Sequence, residues 1–285
     1  MLSHEYELTL KNSAQDIRVG IMHMIGRAKL GHVGGSLSIA DLMAVLYGGQ
    51  LRHDPKQPRW DGRDRIVLSK GHAGPAMYAA LALRGFFPME WLDTLNQPPT
   101  NLPSHTDRTR TPGVDMTTGS LGQGASSAAG IALAGQLAGK DYYTYLILGD
   151  GECEEGQVWE AAMFAVAHKL ERLIAFVDFN GKQIDGTIEE IAGVADFEEK
   201  FASFGWNVIS VADGNDVRAI WEAVEQAKAT LNGKPVCIVL HTVKGKGWKF
   251  AEDAEYNHCW AIDDAQTADA LRDFEAARVQ KGDKA

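Results

Sequence analysis

Five short apolar segments are spread along the chain and predict the strands of one sheet. Each is rich in branched or aromatic residues and is bounded by glycine, aspartate or asparagine. Because the apolar residues run almost continuously instead of alternating with polar ones, we expect these strands to be buried on both faces. The segments are 65–69, 142–148, 173–179, 207–211 and 236–242.

Between these segments, apolar residues recur at the spacing of an amphipathic helix. Strands that alternate with helices indicate a parallel sheet with helices on both faces and right-handed connections. The predicted fold class is therefore α/β. The helical segments are 12–30, 39–48, 125–138, 157–170 and 216–231.

The segment 86–124 differs from the rest, because it has several prolines and little periodicity. Loops of this length in a compact domain are usually functional. No repeat, low-complexity stretch or linker divides the chain, and 285 residues are near the upper limit for one hydrophobic core. We therefore expect a single domain over residues 1–285.

The composition excludes several classes of protein. With 45% hydrophobic and 23% charged residues the chain is typical of globular proteins, and its net charge of -10 with scattered basic residues disfavours nucleic-acid binding. The polar start is unlike a signal peptide, and the weakly polar run 125–139 is too short to span a membrane. Three cysteines at unrelated spacings form neither a disulfide framework nor a CxxC metal site, which favours a cytoplasmic location.

The apolar segment 142–148 runs into Gly149-Asp150-Gly151. Ligands of open α/β sheets bind beyond the carboxyl ends of the strands, and the two glycines permit a sharp turn with close backbone approach. The helix that follows presents its positive N-terminus to the same region. An ordinary strand-to-helix turn capped by Asp150 is the alternative. A dinucleotide fingerprint is excluded because Glu154 stands where GxGxxG needs glycine, and no P-loop motif occurs.

A carboxylate next to a phosphate requires a cation between them, and Mg2+ is the natural candidate. Asn180 follows the next predicted strand thirty positions after Asp150, an interval that fits one helix and one strand. The two residues are therefore predicted to end neighbouring strands, where the Asn180 amide oxygen would be a second hard ligand and a nearby backbone carbonyl a third. A plain turn at Asn180-Gly181 is the alternative.

The combination of GDG, about thirty residues and then Asn resembles the signature of thiamine-diphosphate enzymes. Four further stretches resemble transketolase; they follow the order of that family and cover most of the chain from about residue 15 to 260. The resemblance implies a thiamine-diphosphate-binding α/β fold. The stretches are GHVGGSLSIADLMAVLY (31–47), SKGHAGPAMYAAL (69–81), TPGVDMTTGSLGQGASSAAGIALA (111–134) and VKGKG (243–247).

The resemblance also implies roles for individual positions. Asp150 and Asn180 would bind Mg2+ through their side chains and Lys182 through its carbonyl; Ca2+ or Mn2+ could substitute. The resemblance places His32, His105 and His258 along the substrate channel and His72 next to the diphosphate or nearby substrate oxygens, which makes these four histidines the catalytic candidates. The residues implied to bind the cofactor are His72, Gly119 (through its carbonyl), Leu121, Gly149, Asp150, Gly151, Glu155, Asn180, Ile184, Lys244 and His258.

Structural alternatives remain for several of these residues. A histidine in a glycine-rich loop is often a local hydrogen-bonding group, and Lys244 could belong to a solvated basic turn. His258 stands in NHCW, where the family usually has His-Gly, and the loop around His105 aligns only with gaps. Cys153 is expected to be a small packed residue and not a nucleophile.

Transketolases transfer a two-carbon ketol unit from a ketose, often a phosphate, to an aldose, and the pentose phosphate route is one setting. Histidines suit the proton transfers that this requires near neutral pH. This chain stops about where the first domain of ordinary transketolases ends. We therefore expect the pyrimidine-binding domain, with its activating glutamate, and the C-terminal domain on a second polypeptide, most simply in an α2β2 assembly. A truncated longer protein is the alternative.

Glu155 and Glu160 match positions that lie near the subunit interface in this family, although a solvated first helical turn is an equal alternative.

Two other functions remain open. The chain could belong to another thiamine-diphosphate enzyme, such as a 1-deoxyxylulose-5-phosphate synthase-like protein or the E1 α subunit of a 2-oxoacid dehydrogenase, or it could be a non-catalytic binding module. The stretches GHVGGSLS and TTGSLGQG favour transketolase. The sequence does not identify the sugar.

Overall fold

A five-stranded, entirely parallel sheet forms the centre of the computed structural model, which describes residues 2–184, 186–193 and 196–280. The strands lie in the order β1-β2-β3-β5-β4. All five predicted strands are confirmed, with ends that differ by at most two residues. Along the chain they are β1 Arg65–Leu68, β2 Thr144–Gly149, β3 Leu173–Phe179, β4 Asn207–Val211 and β5 Val236–His241.

The longer helices connect these strands or pack beside them. They are α1 His4–Ala28, α2 Ala40–Val45, α3 Gly74–Leu83, α4 Gln123–Leu137, α5 Gly156–Ala167, α6 Phe197–Ser203, α7 Val217–Ala229 and α8 Asp264–Ala276. Shorter helical turns are Gly34–Leu37, Leu46–Gln50, Gly71–Ala73, Met89–Thr94, Gly151–Glu154, Ile188–Ile191 and Lys249–Asp253. Two-residue strands pair antiparallel outside the main sheet: Leu30–Gly31 with Trp260–Ala261, and Lys182–Gln183 with Gly186–Thr187.

The sheet buries both of its faces, as predicted. Tyr145 and Ile147 of β2 pack into a core formed with α1, α2, α3, α7 and α8. Their neighbours Leu146 and Leu148 point the other way, into a second core formed with α4, α5 and α6. This alternation is the period of two of an extended strand. The α/β fold class with helices on both faces is confirmed.

Several helices were not predicted, and others begin or end at different residues from those predicted. α3 was not predicted because GPAMYAALAL is buried on almost every side, so that no polar face marks the helical period. α1 begins eight residues before the predicted start at position 12, at a polar stretch capped by the Ser3 side chain, which accepts from the Tyr6 N–H. α2 ends at Val45 and continues as the wider helical turn Leu46–Gln50, in which Gly49 has φ 150°. α6 and α8 were not predicted either.

The long segment before α4 lies along β1, which is an edge strand of the sheet. The Asp115 carboxylate accepts from the Ile66 N–H at 2.9 Å, and the Thr118 hydroxyl donates to the Leu68 carbonyl at 2.7 Å. Side chains of this segment therefore satisfy polar groups of the edge strand, which would otherwise be open to pairing with another chain. The segment ends at the carboxyl edge of the sheet.

Within the described residues, no helix combines the length and the apolar character needed to cross a membrane. Cys153 and Cys237 are buried free thiols, and Cys259 is an exposed one. Cys153 packs in the core beside α5, as expected of a small packed residue.

Candidate active site

Asp150 and Asn180 follow the ends of two neighbouring strands, β2 and β3, whose register pairs Gly149 with Asp178. Asp150 is almost fully buried. One oxygen of its carboxylate accepts from the Gly151 N–H at 2.8 Å and the other from the Gly181 N–H at 2.7 Å. The predicted meeting of the two strand ends is thus found in the structure.

Burial raises the pKa of Asp150 to about 7, and the nearby charge of Asp178 adds to this shift. The pKa of Asp150 is lowered by the hydrogen bonds from Gly151 and Gly181 and by the charge of the Lys70 ammonium, but these effects are smaller than the rise caused by burial. A buried carboxylate that resists ionisation is stabilised by a bound cation. The site therefore favours a positive charge next to Asp150.

Asp178, which the sequence did not single out, organises the floor of this region. It is completely buried and pairs with the Lys70 ammonium. Ser38 donates to its carboxylate at 2.7 Å, and the Asn180 side-chain amide donates at 3.0 Å. Although burial opposes ionisation, the Lys70 ion pair and the surrounding hydrogen bonds hold the pKa of Asp178 below its usual value.

The contact with Asp178 fixes the orientation of the Asn180 amide. Since its NH2 group donates to Asp178, its oxygen is turned the other way and accepts from the Lys182 N–H at 3.2 Å. The Lys182 carbonyl accepts from the Lys244 ammonium at 3.0 Å. Asp150, Asn180 and Lys182 thus line one cavity with a carboxylate, an amide and a backbone carbonyl oxygen among their groups, and such hard oxygen ligands suit Mg2+.

No cluster of three or more His, Cys, Asp or Glu side chains with metal-binding geometry occurs in the described part of the chain. A cation here would therefore be held by a mixed set of one carboxylate, one amide oxygen and one backbone carbonyl, which leaves positions for phosphate oxygens. The residues present therefore fit a divalent ion bound together with a diphosphate.

Lys244 is also buried at this edge. Burial lowers the pKa of its ammonium to about 8, against the favourable charges of Asp150 and Asp178. Gly34 packs against it closely enough that a Cβ at this position would lie 2.8 Å from the Lys244 Cγ. The position of the lysine thus depends on a glycine of the GHVGG stretch.

Most of the predicted residues surround one narrow cavity of about 100 Å3, which His32, His105, Gly119 and Glu155 do not line. Ten residues that the sequence indicated line it: His72, Leu121, Gly149, Asp150, Gly151, Asn180, Lys182, Ile184, Lys244 and His258. Four lining residues were missed: Gly35, Lys70, Glu152 and Gln183. Each of the four stands within three residues of a predicted one, and proximity to the motifs is the signal that could have found them.

The four predicted histidines lie close to one another beside this cavity, which His72 and His258 line and His32 and His105 do not. The ring centroid of His32 lies 5.4 Å from that of His72, 5.6 Å from that of His105 and 5.2 Å from that of His258. The rings of His72 and His258 are 4.8 Å apart. Gly119 lies directly against His105, because a Cβ added to it would be 3.2 Å from the imidazole.

All four histidines are held neutral near pH 7. Burial, with the charges of Lys244 and His32, lowers the pKa of His258 to about 3. Burial, with Lys70 and His258, lowers the pKa of His72 well below its usual value. The pKa values of His32 and His105 are lowered by burial as well. Neutral imidazoles can both donate and accept hydrogen bonds, so the cluster is suited to binding hydroxyl groups.

The glutamates after Gly151 have different positions. Glu152 is buried and accepts from the N–H groups of Gly122 at 2.9 Å and Gly149 at 3.1 Å. It ties the start of α4 to the end of β2. Glu155 and Glu160 are exposed, and Glu155 does not line the cavity. Its predicted contact with the cofactor stays a prediction.

The fold and site define an α/β domain that presents a buried carboxylate with neighbouring amide and carbonyl oxygens, a buried lysine and a histidine cluster at one edge of a parallel sheet. The family model described as transketolase, thiamine diphosphate binding domain, matches residues 9–277. The chain therefore belongs to the transketolase family, as its thiamine-diphosphate-binding domain.

Two curated relatives match over almost their whole length. The 6-deoxy-6-sulfo-D-fructose transketolase subunit of Clostridium sp. (strain MSTE9) is 51% identical over 95% of this chain and 98% of its own. An apulose-4-phosphate transketolase subunit of Phocaeicola vulgatus is 35% identical over 97% of each chain.

Solved transketolases have the same fold over a part of their chains. A transketolase from Pichia stipitis superposes with a TM-score of 0.87 at 34% identity, covering 94% of this chain and 40% of its own. The transketolase from Campylobacter jejuni gives a TM-score of 0.87 at 33% identity and is covered to 42%. The chain thus spans about two fifths of these solved proteins.

Proposed function

We propose that this chain is the N-terminal subunit of a two-chain transketolase. With thiamine diphosphate and Mg2+ it would transfer a two-carbon ketol unit from a ketose donor to an aldose acceptor. The observation that carries the proposal is that Asp150 and Asn180, at two strand ends, share one cavity with His72 and His258. A cation site for a diphosphate and groups for binding a sugar thus adjoin each other.

Thiamine diphosphate, when bound, supplies a carbanion that can attack a ketose carbonyl. The chain's own residues would position the reactants. Asp150, Asn180 and the Lys182 carbonyl would hold the divalent ion, and Lys244 would neutralise a diphosphate charge. Backbone approach at Gly149, Gly151 and Gly119 and packing of Leu121 and Ile184 would seat the cofactor.

The histidine cluster would bind the sugar hydroxyl groups and move their protons. His32 contacts the rings of the other three, so the cluster can act as one network. Their lowered pKa values keep the imidazoles available as acceptors near neutral pH. This role fits the protons that leave or join sugar oxygens when a carbon–carbon bond is broken or formed.

The site needs a second polypeptide under this proposal. Two of the curated relatives that match over nearly their full length are named as transketolase subunits. We propose a partner subunit that carries the pyrimidine-binding domain and its activating glutamate, in an α2β2 assembly. The free thiols of all three cysteines support a reducing, cytoplasmic setting.

The outer side of α5 is a candidate contact for such an assembly. Met163 is 52% exposed and Phe164 39% exposed, and Glu160 stands one helical turn before them. Leu137, at the end of the adjoining α4, is 79% exposed. Exposed apolar side chains close together with charges at their border are typical of subunit contacts.

The donor class that we propose is a ketose with an anionic group on its terminal carbon. The name of the 51% identical relative makes 6-deoxy-6-sulfo-D-fructose the first donor to test. Fructose 6-phosphate and xylulose 5-phosphate, which occur in solved transketolase complexes, are the comparison.

The test is reconstitution of the chain with a pyrimidine-domain partner, thiamine diphosphate and Mg2+. Transfer of two carbons from these ketoses to an aldose phosphate would be followed by mass spectrometry, with Asp150→Asn as the inactive control. Pyruvate as an added donor distinguishes transketolase activity from the synthase-like and 2-oxoacid dehydrogenase alternatives. If the assembled, cofactor-loaded complex transferred nothing from any ketose, the transketolase proposal would be wrong and a binding module would be favoured.

A further inference from the structure

A second, larger cleft lies at the opposite end of edge strand β1 from the candidate active site. Its volume is about 1060 Å3. One wall is the segment 57–63, which precedes β1, and the other is the part of the long loop from 108 to 117. It shares no lining residue with the active-site cavity. Its size is that of a cleft for a small molecule.

The charge of this cleft is opposite to that of the whole chain. The chain has a formal net charge of -10, yet the lining contains four arginines and one carboxylate. A concave surface lined by one sign of charge concentrates the electrostatic field and attracts ions of the other sign. The arginines are Arg59, Arg63, Arg108 and Arg110.

Two of the arginines hold the walls in place. Arg63 pairs with Asp115, whose other carboxylate oxygen accepts from the Ile66 N–H of β1. This ion pair ties the loop to the segment before the strand. Arg110 donates to the Thr100 carbonyl at 3.3 Å. The walls are therefore fixed by contacts within the protein, independently of any ligand.

The other two arginines are available for binding. Arg59 and Arg108 are exposed, and within the described residues neither guanidinium has a hydrogen bond or ion pair. The backbone of Arg108 is nevertheless held, because its N–H donates to the Thr117 hydroxyl at 3.1 Å. Trp60, 44% exposed, lines the same cleft and offers an aromatic face next to these charges.

We propose that this cleft binds a small metabolite that carries a phosphate or sulfonate group. The guanidinium groups of Arg59 and Arg108 would bind the oxyanion, since planar guanidinium groups match the geometry of such groups. Trp60 would pack against the carbon skeleton of the ligand. This site goes beyond the proposed transfer reaction, because it shares no lining residue with the active-site cavity, although Arg108 stands three residues from His105.

The test is a calorimetric titration of the full chain with inorganic phosphate, fructose 6-phosphate and 6-deoxy-6-sulfo-D-fructose. Thiamine diphosphate and Mg2+ are present in one series, to fill the active-site cavity, and absent in another. The double variant Arg59→Gln/Arg108→Gln is compared with Arg27→Gln/Arg272→Gln, which makes the same change of charge on other surfaces. The first should weaken binding on the order of tenfold or more, and the control should leave it unchanged.

Several results would overturn the proposal. Equal weakening in both double variants would indicate unspecific attraction, and no weakening in the first would place the anion elsewhere. The absence of saturable binding for all three probes would exclude the site. Loss of partner association in the first variant with unchanged anion affinity would make the cleft a protein contact. Comparison of the phosphate and sulfonate probes shows which anionic group the cleft prefers. If thiamine diphosphate failed to bind, the proposed function would be contradicted but the proposal for this cleft would not.

Discussion

The Asp150 carboxylate accepts a 2.7 Å hydrogen bond from the Gly181 N–H, which joins the end of β2 to the turn after β3. A second hydrogen bond from the Gly151 N–H orients the other oxygen. The carboxylate is thus set in place by the backbone of two strand ends. In the proposed function, this preorganisation is what a divalent ion would use.

Replacement of Asp150 by asparagine is expected to abolish Mg2+-dependent binding of thiamine diphosphate. The affinity should fall by about a hundredfold or more, because a ligand of the metal would be lost. The stability of the ligand-free fold at pH 8 should change little, because the loss of a buried charge whose pKa is about 7 is offset by the loss of one of the two N–H hydrogen bonds, which the asparagine NH2 group cannot accept. Calorimetry and urea unfolding measure the two effects. The control is Asp264→Asn, at an exposed helix start. Unchanged affinity for the cofactor in the Asp150 variant would exclude Asp150 as a ligand of the metal.

Replacement of Lys244 by methionine is expected to weaken binding of thiamine diphosphate by about ten- to a hundredfold, because a buried charge that would face the diphosphate is lost. Burial lowers the pKa of this ammonium to about 8, so the substitution should leave the fold intact. Lys234→Met, at an exposed position, is the matched control. Equal affinity of both variants would show that Lys244 does not contact the diphosphate.

The histidine cluster is expected to lower the stability of the ligand-free chain as the pH falls from 7 to 5, partly against Asp150, whose raised pKa of about 7 acts in the opposite direction. The pKa of His258 is lowered to about 3, whereas an unfolded histidine titrates near 6.5. Below about pH 6.5 the unfolded state therefore takes up a proton that the folded state does not, and each such histidine costs at most about 1.4 kcal/mol per pH unit.

Urea unfolding at pH 7, 6 and 5 measures this dependence. His258→Asn should give a shallower decrease than the wild type, and His168→Asn, at an exposed position, should not. An identical slope in all three proteins would contradict the burial of a neutral His258.

The Lys70–Asp178 pair is expected to be a structural requirement of the site. Asp178→Asn leaves the Lys70 ammonium buried without a counter-charge and should cost roughly 3 to 5 kcal/mol of unfolding free energy. Lys70→Met combined with Asp178→Asn should recover part of that loss, since both charges are then removed. Urea unfolding of the single and double variants forms the cycle; additive losses would show that the pair is not coupled.

The sequence identified the strands well because each is a continuous apolar segment with a polar turn at its end. It identified helices less completely. α3 was missed because GPAMYAALAL is buried almost all round and has no polar face to mark the helical period, and α6 and α8 were missed although they have polar faces. The motifs around Asp150, Asn180 and the histidines were visible because their order and spacing resemble those of transketolase, although each motif alone is compatible with a plain turn.

What the sequence determined by itself is the α/β order of elements and the residues that gather at one edge of the sheet. Only the tertiary structure decided which glutamate of GECEE is buried, because Glu152 bonds to Gly122, a residue thirty positions away. It alone showed that Lys70 meets Asp178, 108 residues apart, and that segments 57–63 and 108–117 enclose an arginine-lined cleft. Such contacts join distant parts of the chain and depend on packing, which local pattern does not contain.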